Sequence, residues 1–500
     1  MSADTNRGAS TGANLDATAL AERIRSGAIT AREVVDAALE RARADRFGAV
    51  RSVDEEAARR RADELDATRA THGEAVGPLH GVPILLKANL CRLGSTTDCG
   101  SALLASYRPP HSATAVDRLE IAGAVVIGTT HMDEFGMGST GEHCAFGRTT
   151  NPRTPSGSAP LAPGGSSSGS AAAVAAGIVP IALGSDTGGS VRQPAAFCEV
   201  FGHKPTWGGV SRFGLVAFAS SLDTVGALAR SARDLELVLA CMAGRDRYDA
   251  TTFDLDVERR PSDLAGVRIG AIDARAMPGV AEDVAAAYAS TLEHARELGA
   301  AIERIELPHL EHGVPAYYVI ASAEASSNLA RYDGVRYGAR VDGDGSLESM
   351  TTATRDTGFG PEVARRVLMG THVLSSGFYD AWFDRAARVR RLVVRDFEAA
   401  HAAVDLVALP TAPTPAFELG SVRDPLELYR GDALTVPASL AGLPATSLPA
   451  LRDGDGGRPG IGVQLIGPGG ADMRVLAAAR ALRPAAVDAV DALDASGGAA

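Results

Sequence analysis

The sequence has few cysteines, no excess of positive charge and no long apolar run, and each shortage closes off a class of function. Its five cysteines, Cys91, Cys99, Cys144, Cys198 and Cys241, are odd in number, scattered, and form no C-x-x-C pair. That pattern suits reduced thiols in a cytoplasmic protein and supplies no metal-binding set. The net charge is −12, so the chain has no electrostatic footprint for direct nucleic-acid binding. The longest apolar run, Ala171 to Leu183, is broken by Gly177 and Pro180, and Met1 to Leu15 has no apolar core. Neither a membrane span nor an export signal is expected. Phosphate-loop spacing is missing from the glycine-rich segments, and no G-x-S-x-G elbow surrounds Ser190.

What the chain does carry is concentrated between Pro163 and Pro194. Two glycine and serine clusters, Gly164 to Ser170 and Gly184 to Ser190, are separated by Ala171 to Ala176, which favours helix, and Ile178 to Leu183, which reads as a short buried strand. Both clusters therefore fall at element boundaries. Glycine opens backbone conformations in which consecutive N–H groups converge on one anion, as a tetrahedral oxyanion requires. Ser190 closes the run Asp186-Thr187-Gly188-Gly189 and is a candidate nucleophile. A serine alone is inert at neutral pH and needs a base. Spacing by itself reaches no further than anion-binding loops with an exposed serine, or ordinary turns.

The whole stretch closely resembles the signature of the amidase signature family, whose enzymes use a Ser-cisSer-Lys triad. Position by position, the resemblance implies Ser190 as nucleophile and Ser166, after a cis Gly165-Ser166 peptide, as bridging serine. It implies Lys87, in Gly81-Val82-Pro83-Ile84-Leu85-Leu86-Lys87, as base, while the amides of Thr187, Gly188 and Gly189, in the run that Ser190 closes, are read from the run itself as a candidate oxyanion hole. Lysine accepts a proton at neutral pH only when desolvation or nearby positive charge depresses its pKa. The apolar run before Lys87 suits a strand that carries it inside.

The remaining chain reads as α/β. Residues 1–14 and 485–500 are expected to be a disordered and a frayed tail around a single domain, 15–484. Leu15 to Thr71 is helical in period, with a capping box at Thr30-Ala31-Arg32-Glu33. Thr114 to Ala122 reads as a helix, Ala124 to Gly128 as a strand, and Leu264 to Leu310 as strand, helix and strand without a dinucleotide glycine fingerprint. The Asp-Gly runs Val341 to Gly345 and Asp453 to Gly457 lack the final acidic residue of a calcium loop and are read as turns. Val363 to Ala403 is helical with a break at Ser375 to Gly377, its arginines 385, 388, 390, 391 and 395 facing outward. Val404 to Leu409 and Gly462 to Ile466 are strands. Alternating helices and strands, together with the family resemblance, imply one large mixed β-sheet covered by helices on both faces.

A narrower resemblance runs over roughly residues 16 to 470. Met132 to Ser139, Ala145-Phe146-Gly147, Ser211 to Asp223, Tyr317 to Ser322 and Arg365 to Thr371 look like the glutaminase subunits of tRNA-dependent amidotransferases. This implies glutamine, or another small amide, as substrate, with Arg366 on the α-carboxylate, Asp432 on the α-ammonium, and Tyr317 and Ser139 in the pocket. It also implies two partner subunits, one receiving ammonia, and no cofactor in this chain, ATP and Mg²⁺ belonging to a partner. A guanidinium fork suits a carboxylate, and a carboxylate suits an ammonium. Four positions depart from the pattern: Ala88 for aspartate, Ser168 for glycine, His203 for an apolar residue and Gly209 for arginine. A stand-alone amidase or acyltransferase in a dedicated pathway is the alternative reading, and a non-catalytic scaffold is a third.

Overall fold

The computed structural model describes residues 16–73, 77–277, 279–451 and 459–483. The expected tails lie outside them, as do Leu15 and Pro484 at the two ends of the expected domain and the turn at Asp453 to Gly457.

Eleven strands form one sheet: β1 Val50–Val53, β2 Pro83–Lys87, β3 Val125–Thr130, β4 Ile181–Asp186, β5 Phe201–Lys204, β6 Thr224–Ala229, β7 Arg268–Ala271, β8 Ala301–Arg304, β9 Leu406–Pro410, β10 Ala445–Pro449 and β11 Gly462–Ile466. Their order is β1-β3-β2-β4-β6-β5-β10-β11-β9-β7-β8. β2 pairs in parallel with β3 and β4, and β7 with β8 and β9, whereas the other pairings are antiparallel. The sheet is therefore mixed.

Alternate residues of one strand enter different cores, which is how a sheet buries both faces. Ile84 and Leu86 of β2 join Val116, Leu119, Leu235 and Leu239 on one side. Leu85 joins Val34, Leu39, Leu65 and the alanines 171–176 on the other. A third cluster gathers the helices Gly313–Asn328, Pro361–Leu374 and Arg385–Ala403 against Val407, Leu409 and Ile466.

The local reading holds for most elements. Thr30 and Glu33 make the reciprocal capping box at the start of the helix Ala31–Arg43. Glu282–Glu297 is the helix between β7 and β8, and β9 ties that unit into the same sheet. The helix Ser168–Ala175 begins earlier than the alanine run, and β4 begins at Ile181, after Pro180, which has no N–H to give a ladder. Four short strands, β1, β5, β6 and β10, have no clear counterpart in the sequence reading. Arg390 does not face outward: its guanidinium donates to the carbonyls of Leu440 and Ser221 and to Ser221 Oγ.

Candidate active site

Parallel pairing brings the ends of β2 and β4 to the same edge of the sheet, so their last residues, Lys87 and Asp186, arrive together. Lys87 is fully buried. Its Nζ donates to Ser166 Oγ at 2.8 Å, to Ser185 Oγ at 3.0 Å and to the Ser185 carbonyl at 3.3 Å. Burial pushes its pKa down to about 7, against the pull of Asp133, Asp186 and Asp223. An amine in that range can exchange protons near neutrality, and its nearest hydroxyl partner is Ser166.

The Gly165-Ser166 peptide is cis. The loop around it is held from two directions. The Gly165 N–H donates to Gln193 Oε1 at 2.8 Å, and Gln193 Nε2 donates to the Ser139 carbonyl at 3.0 Å, which ties Ser139 to the same loop. The Asp133 N–H donates to the Ser166 carbonyl at 3.2 Å, while its carboxylate accepts the N–H groups of Gly141 and His143. A side chain at Gly165 would run into that carboxylate.

Ser190 is half-buried at the turn into the helix Arg192–Phe197, and its carbonyl accepts the Ser167 N–H at 3.1 Å. The turn is anchored by a buried pair: Asp186 accepts from Arg192 Nε and Nη2, each at 3.0 Å, and from the Val191 N–H at 3.1 Å. Arg192 spends its remaining donors on the Thr435 carbonyl, Gln464 Oε1 and Ser439 Oγ. A buried ion pair is tolerated when its surplus donors are satisfied in this way. Between these anchors, the N–H groups of Gly188 and Gly189 donate to no protein acceptor among the described residues. Thr187 Oγ1 donates to Asp223 at 2.7 Å, and burial raises that carboxyl to about 6. A Cβ on Gly188 would stand 2.7 Å from Cζ of Tyr317, and one on Gly189, at φ +153°, would overlap Thr435 Oγ1. Only glycines allow this close an approach.

Tyr317 leads from that loop into a cluster of charge and aromatic rings. It packs edge-on against Tyr318, ring centroids 5.1 Å apart, and Tyr318 stacks on Tyr429 at 3.9 Å. The guanidinium of buried Arg366 lies 4.9 Å from the Tyr318 ring centroid and 5.3 Å from that of Tyr429. Its Nε donates to Glu362 Oε1 at 2.8 Å. The Tyr318 hydroxyl donates to Asp432 Oδ2 at 3.0 Å, and burial raises the Asp432 carboxyl to about 7. Asp432 and Tyr429 are half-buried, so this side opens to solvent.

The fold thus brings Lys87 and Ser166 into hydrogen-bond contact and sets Arg366 and Asp432 around one tyrosine. Sequence reasoning missed Ser185, Gln193, Glu362, Tyr318 and Tyr429. Glu362 sits one helical turn before Arg366 on the helix Pro361–Leu374, a spacing that places the two side chains side by side, whereas Asp432 lies beyond the end of the short helix Pro425–Arg430 that carries Tyr429. Ser185 gave no such signal. Of the departing residues, Ala88 is buried behind Lys87, and the Oγ of Ser168 is buried without a hydrogen-bond partner. His203 is satisfied at both ring nitrogens, by Thr446 Oγ1 at 2.8 Å and Asp472 Oδ1 at 3.3 Å. The Gly209 N–H donates to the Thr206 carbonyl at 2.8 Å. Among the described residues no group of His, Cys, Asp and Glu is placed to hold a metal, and no helix is long and apolar enough to cross a membrane.

Comparison with known proteins extends this likeness over the chain. The family model described as Amidase matches residues 33–476. The A subunit of glutamyl-tRNA(Gln) amidotransferase from Deinococcus radiodurans is 51% identical over 415 residues, which are 82% of this chain and 85% of that protein. The crystal structure of the corresponding A subunit from Thermotoga maritima superposes with a TM-score of 0.71 at 40% identity, covering 83% of this chain and 87% of that one. Native peptide amidase from Stenotrophomonas maltophilia superposes with a TM-score of 0.78 at 29% identity, covering 95% and 98%. Sequence and fold agree over nearly the whole described chain, and on this ground it belongs to the amidase family.

Proposed function

We propose that this chain is the glutaminase subunit of a tRNA-dependent amidotransferase, hydrolysing glutamine and supplying ammonia to a partner subunit. The observation that carries the reading is the pair formed by Arg366 and Asp432: a guanidinium and a carboxylate set around Tyr318, next to the tyrosine that covers Gly188. Free glutamine presents the complementary α-carboxylate and α-ammonium. The 51% identity to the A subunit of such an enzyme, over most of both chains, supports the same conclusion.

In this reading Ser190 Oγ bonds to the amide carbon while its proton passes to Ser166, and the Ser166 proton passes to neutral Lys87. The N–H groups of Gly188 and Gly189, with Thr187 beside them, receive the oxyanion. The relay then reverses: Lys87 returns a proton through Ser166 to the leaving nitrogen, the C–N bond breaks, and ammonia departs. Water attacks the acyl ester by the same path, releasing glutamate and restoring Ser190. Residues 15–484 act as one domain, two partner subunits complete the complex, ATP and Mg²⁺ belong to a partner, and the complex works in the cytoplasm.

Kinetics on glutamine and on butanamide, which has no charged ends, test the reading with partner subunits present. The parent should turn over glutamine, and Arg366→Ala or Asp432→Ala should each lower its turnover efficiency by about tenfold to a hundredfold, the worth of one charge-assisted contact. Absence of glutamine turnover in the parent would overturn it. The match to peptide amidase over 95% of the chain favours a second reading, a stand-alone amidase; in that case a neutral amide outcompetes glutamine and neither substitution matters.

A further inference from the structure

The residues that would grip the two ends of the substrate are not independent of one another. Arg366 Nε and the Tyr429 hydroxyl donate to the same atom, Glu362 Oε1, at 2.8 and 2.7 Å. Tyr429 stacks on Tyr318, the two ring planes 25° apart, and Tyr318 donates to Asp432. The links form a chain from the guanidinium through Glu362, Tyr429 and Tyr318 to the carboxylate, and Arg366 lies against the rings of both tyrosines.

Each link has a physical task. Glu362, itself buried, occupies the Nε edge of the guanidinium and fixes its plane. The two Nη groups donate to no protein acceptor among the described residues, so the fork keeps its outer donors for a ligand. Without Glu362 the guanidinium would be held by its packing against the aromatic rings alone, leaving its in-plane orientation to be ordered by the substrate itself, at a cost in affinity. Tyr429 sets the height of Tyr318, and through it the position of the Asp432 carboxylate. Tyr429 and Asp432 are the half-buried members, so the assembly is closed on the Arg366 side and open where an amino acid would enter.

We propose that Glu362 and Tyr429 are positioning residues that lock the Arg366 fork and the Asp432 carboxylate into one rigid frame, making the pocket selective for amides that carry both an α-carboxylate and an α-ammonium. The inference rests on the glutaminase reading. It adds that selectivity resides in the coupling between two groups neither of which touches the reacting atoms.

The test compares the full-length parent, purified with its partner subunits, with Glu362→Gln, Tyr429→Phe and the double variant, on glutamine and on butanamide. Glu362→Gln keeps size and removes charge, and Tyr429→Phe keeps the stack and removes the shared hydroxyl. The expected result is a fall of about tenfold in the glutamine-to-butanamide efficiency ratio for Glu362→Gln and of about threefold to tenfold for Tyr429→Phe, carried by KM and not by kcat, the size expected of one charged or neutral hydrogen bond. Because the two groups meet at one oxygen, the double variant should fall short of the product of the single effects. In an Arg366→Ala background, Glu362→Gln should change the ratio little further. Unchanged ratios in a parent that hydrolyses glutamine would overturn the inference and leave the glutaminase reading standing. Equal losses on both substrates would also overturn it, since they mark a merely structural role. A parent inactive on glutamine and active on butanamide removes the glutaminase reading, and this inference with it.

Discussion

Lys87 and Ser166 come from segments 79 residues apart, yet their polar atoms stand 2.8 Å from each other with the lysine fully buried. Ser185 takes the two other donor directions of the amine, through its hydroxyl and its carbonyl. Neither atom of Ser185 carries a charge, and burial outweighs the pull of Asp133, Asp186 and Asp223, so the lysine is not pinned as an ammonium. That is the environment in which an amine both accepts and returns a proton near pH 7.

Removal of the proposed nucleophile should be close to absolute. Ser190→Ala is expected to lower amide hydrolysis by about a thousandfold or more, since a covalent route is lost, while circular dichroism and the melting temperature stay near those of the parent. Ser166→Ala should be nearly as severe, because it cuts the path between Ser190 and Lys87. Turnover within tenfold of the parent for Ser190→Ala would rule out its assignment.

The pH profile of kcat should follow the lysine. With the Lys87 pKa lowered from 10.5 to about 7 by burial, the active neutral form accumulates as pH rises through about 7 and persists into the alkaline range. Stability is linked with the same sign. Between about pH 7 and 10.5 the unfolded chain holds a proton on this lysine that the folded chain does not, so its contribution to stability rises across that window. A kcat that peaks in acid and declines above neutrality would contradict a lysine base.

Substrate binding should carry its own ionisation, read in KM. Burial raises Asp432 from 3.8 to about 7, so below that pH an incoming ammonium must first displace a proton from the acid. KM for glutamine should increase by up to about tenfold per pH unit on the acid side of about 7, with no matching trend for butanamide. In Asp432→Asn the slope should vanish while KM is high throughout.

Gly188→Ala should uncouple fold from activity. Its Cβ would stand 2.7 Å from Tyr317 Cζ and 2.8 Å from its hydroxyl, and the ring is buried against Tyr318 and cannot retreat freely. Overpacking of this kind costs about 1 to 3 kcal/mol. Moving the two free N–H groups relative to Ser190 should reduce kcat by more than tenfold, measured beside the thermal unfolding midpoint.

How much of this was legible in the sequence depends on which residues did the work. The two glycine-serine loops were readable as anion-binding turns from their composition, whereas Lys87, Ser166 and Ser190 took their roles from the family resemblance, whose pattern is long and specific. The β-strands that begin and end the parallel core were visible as apolar runs. β5, Phe-Gly-His-Lys, was not, because its polar half is buried, and His203 is satisfied by partners about 240 to 270 residues away, Thr446 and Asp472. Such a pattern has no local signature, since tertiary contacts override propensity. The cluster around Tyr318 was half readable. Arg366 and Asp432 were placed by resemblance, but Glu362, Tyr318 and Tyr429 acquire their meaning only when three helical segments meet.

The order of the sheet has a consequence for a chain emerging from the ribosome. β7 and β8 are made long before their link to the rest of the sheet, β9, which itself pairs with β11 at residues 462–466. That last strand also carries Gln464, which receives Arg192 Nη1. Until it is synthesised, the turn bearing Ser190 lacks one of its anchors, and the β7–β8 unit lacks its full link to the rest of the sheet. A nascent chain halted before residue 462 should therefore be inert and prone to chaperone capture, however complete its signature motif.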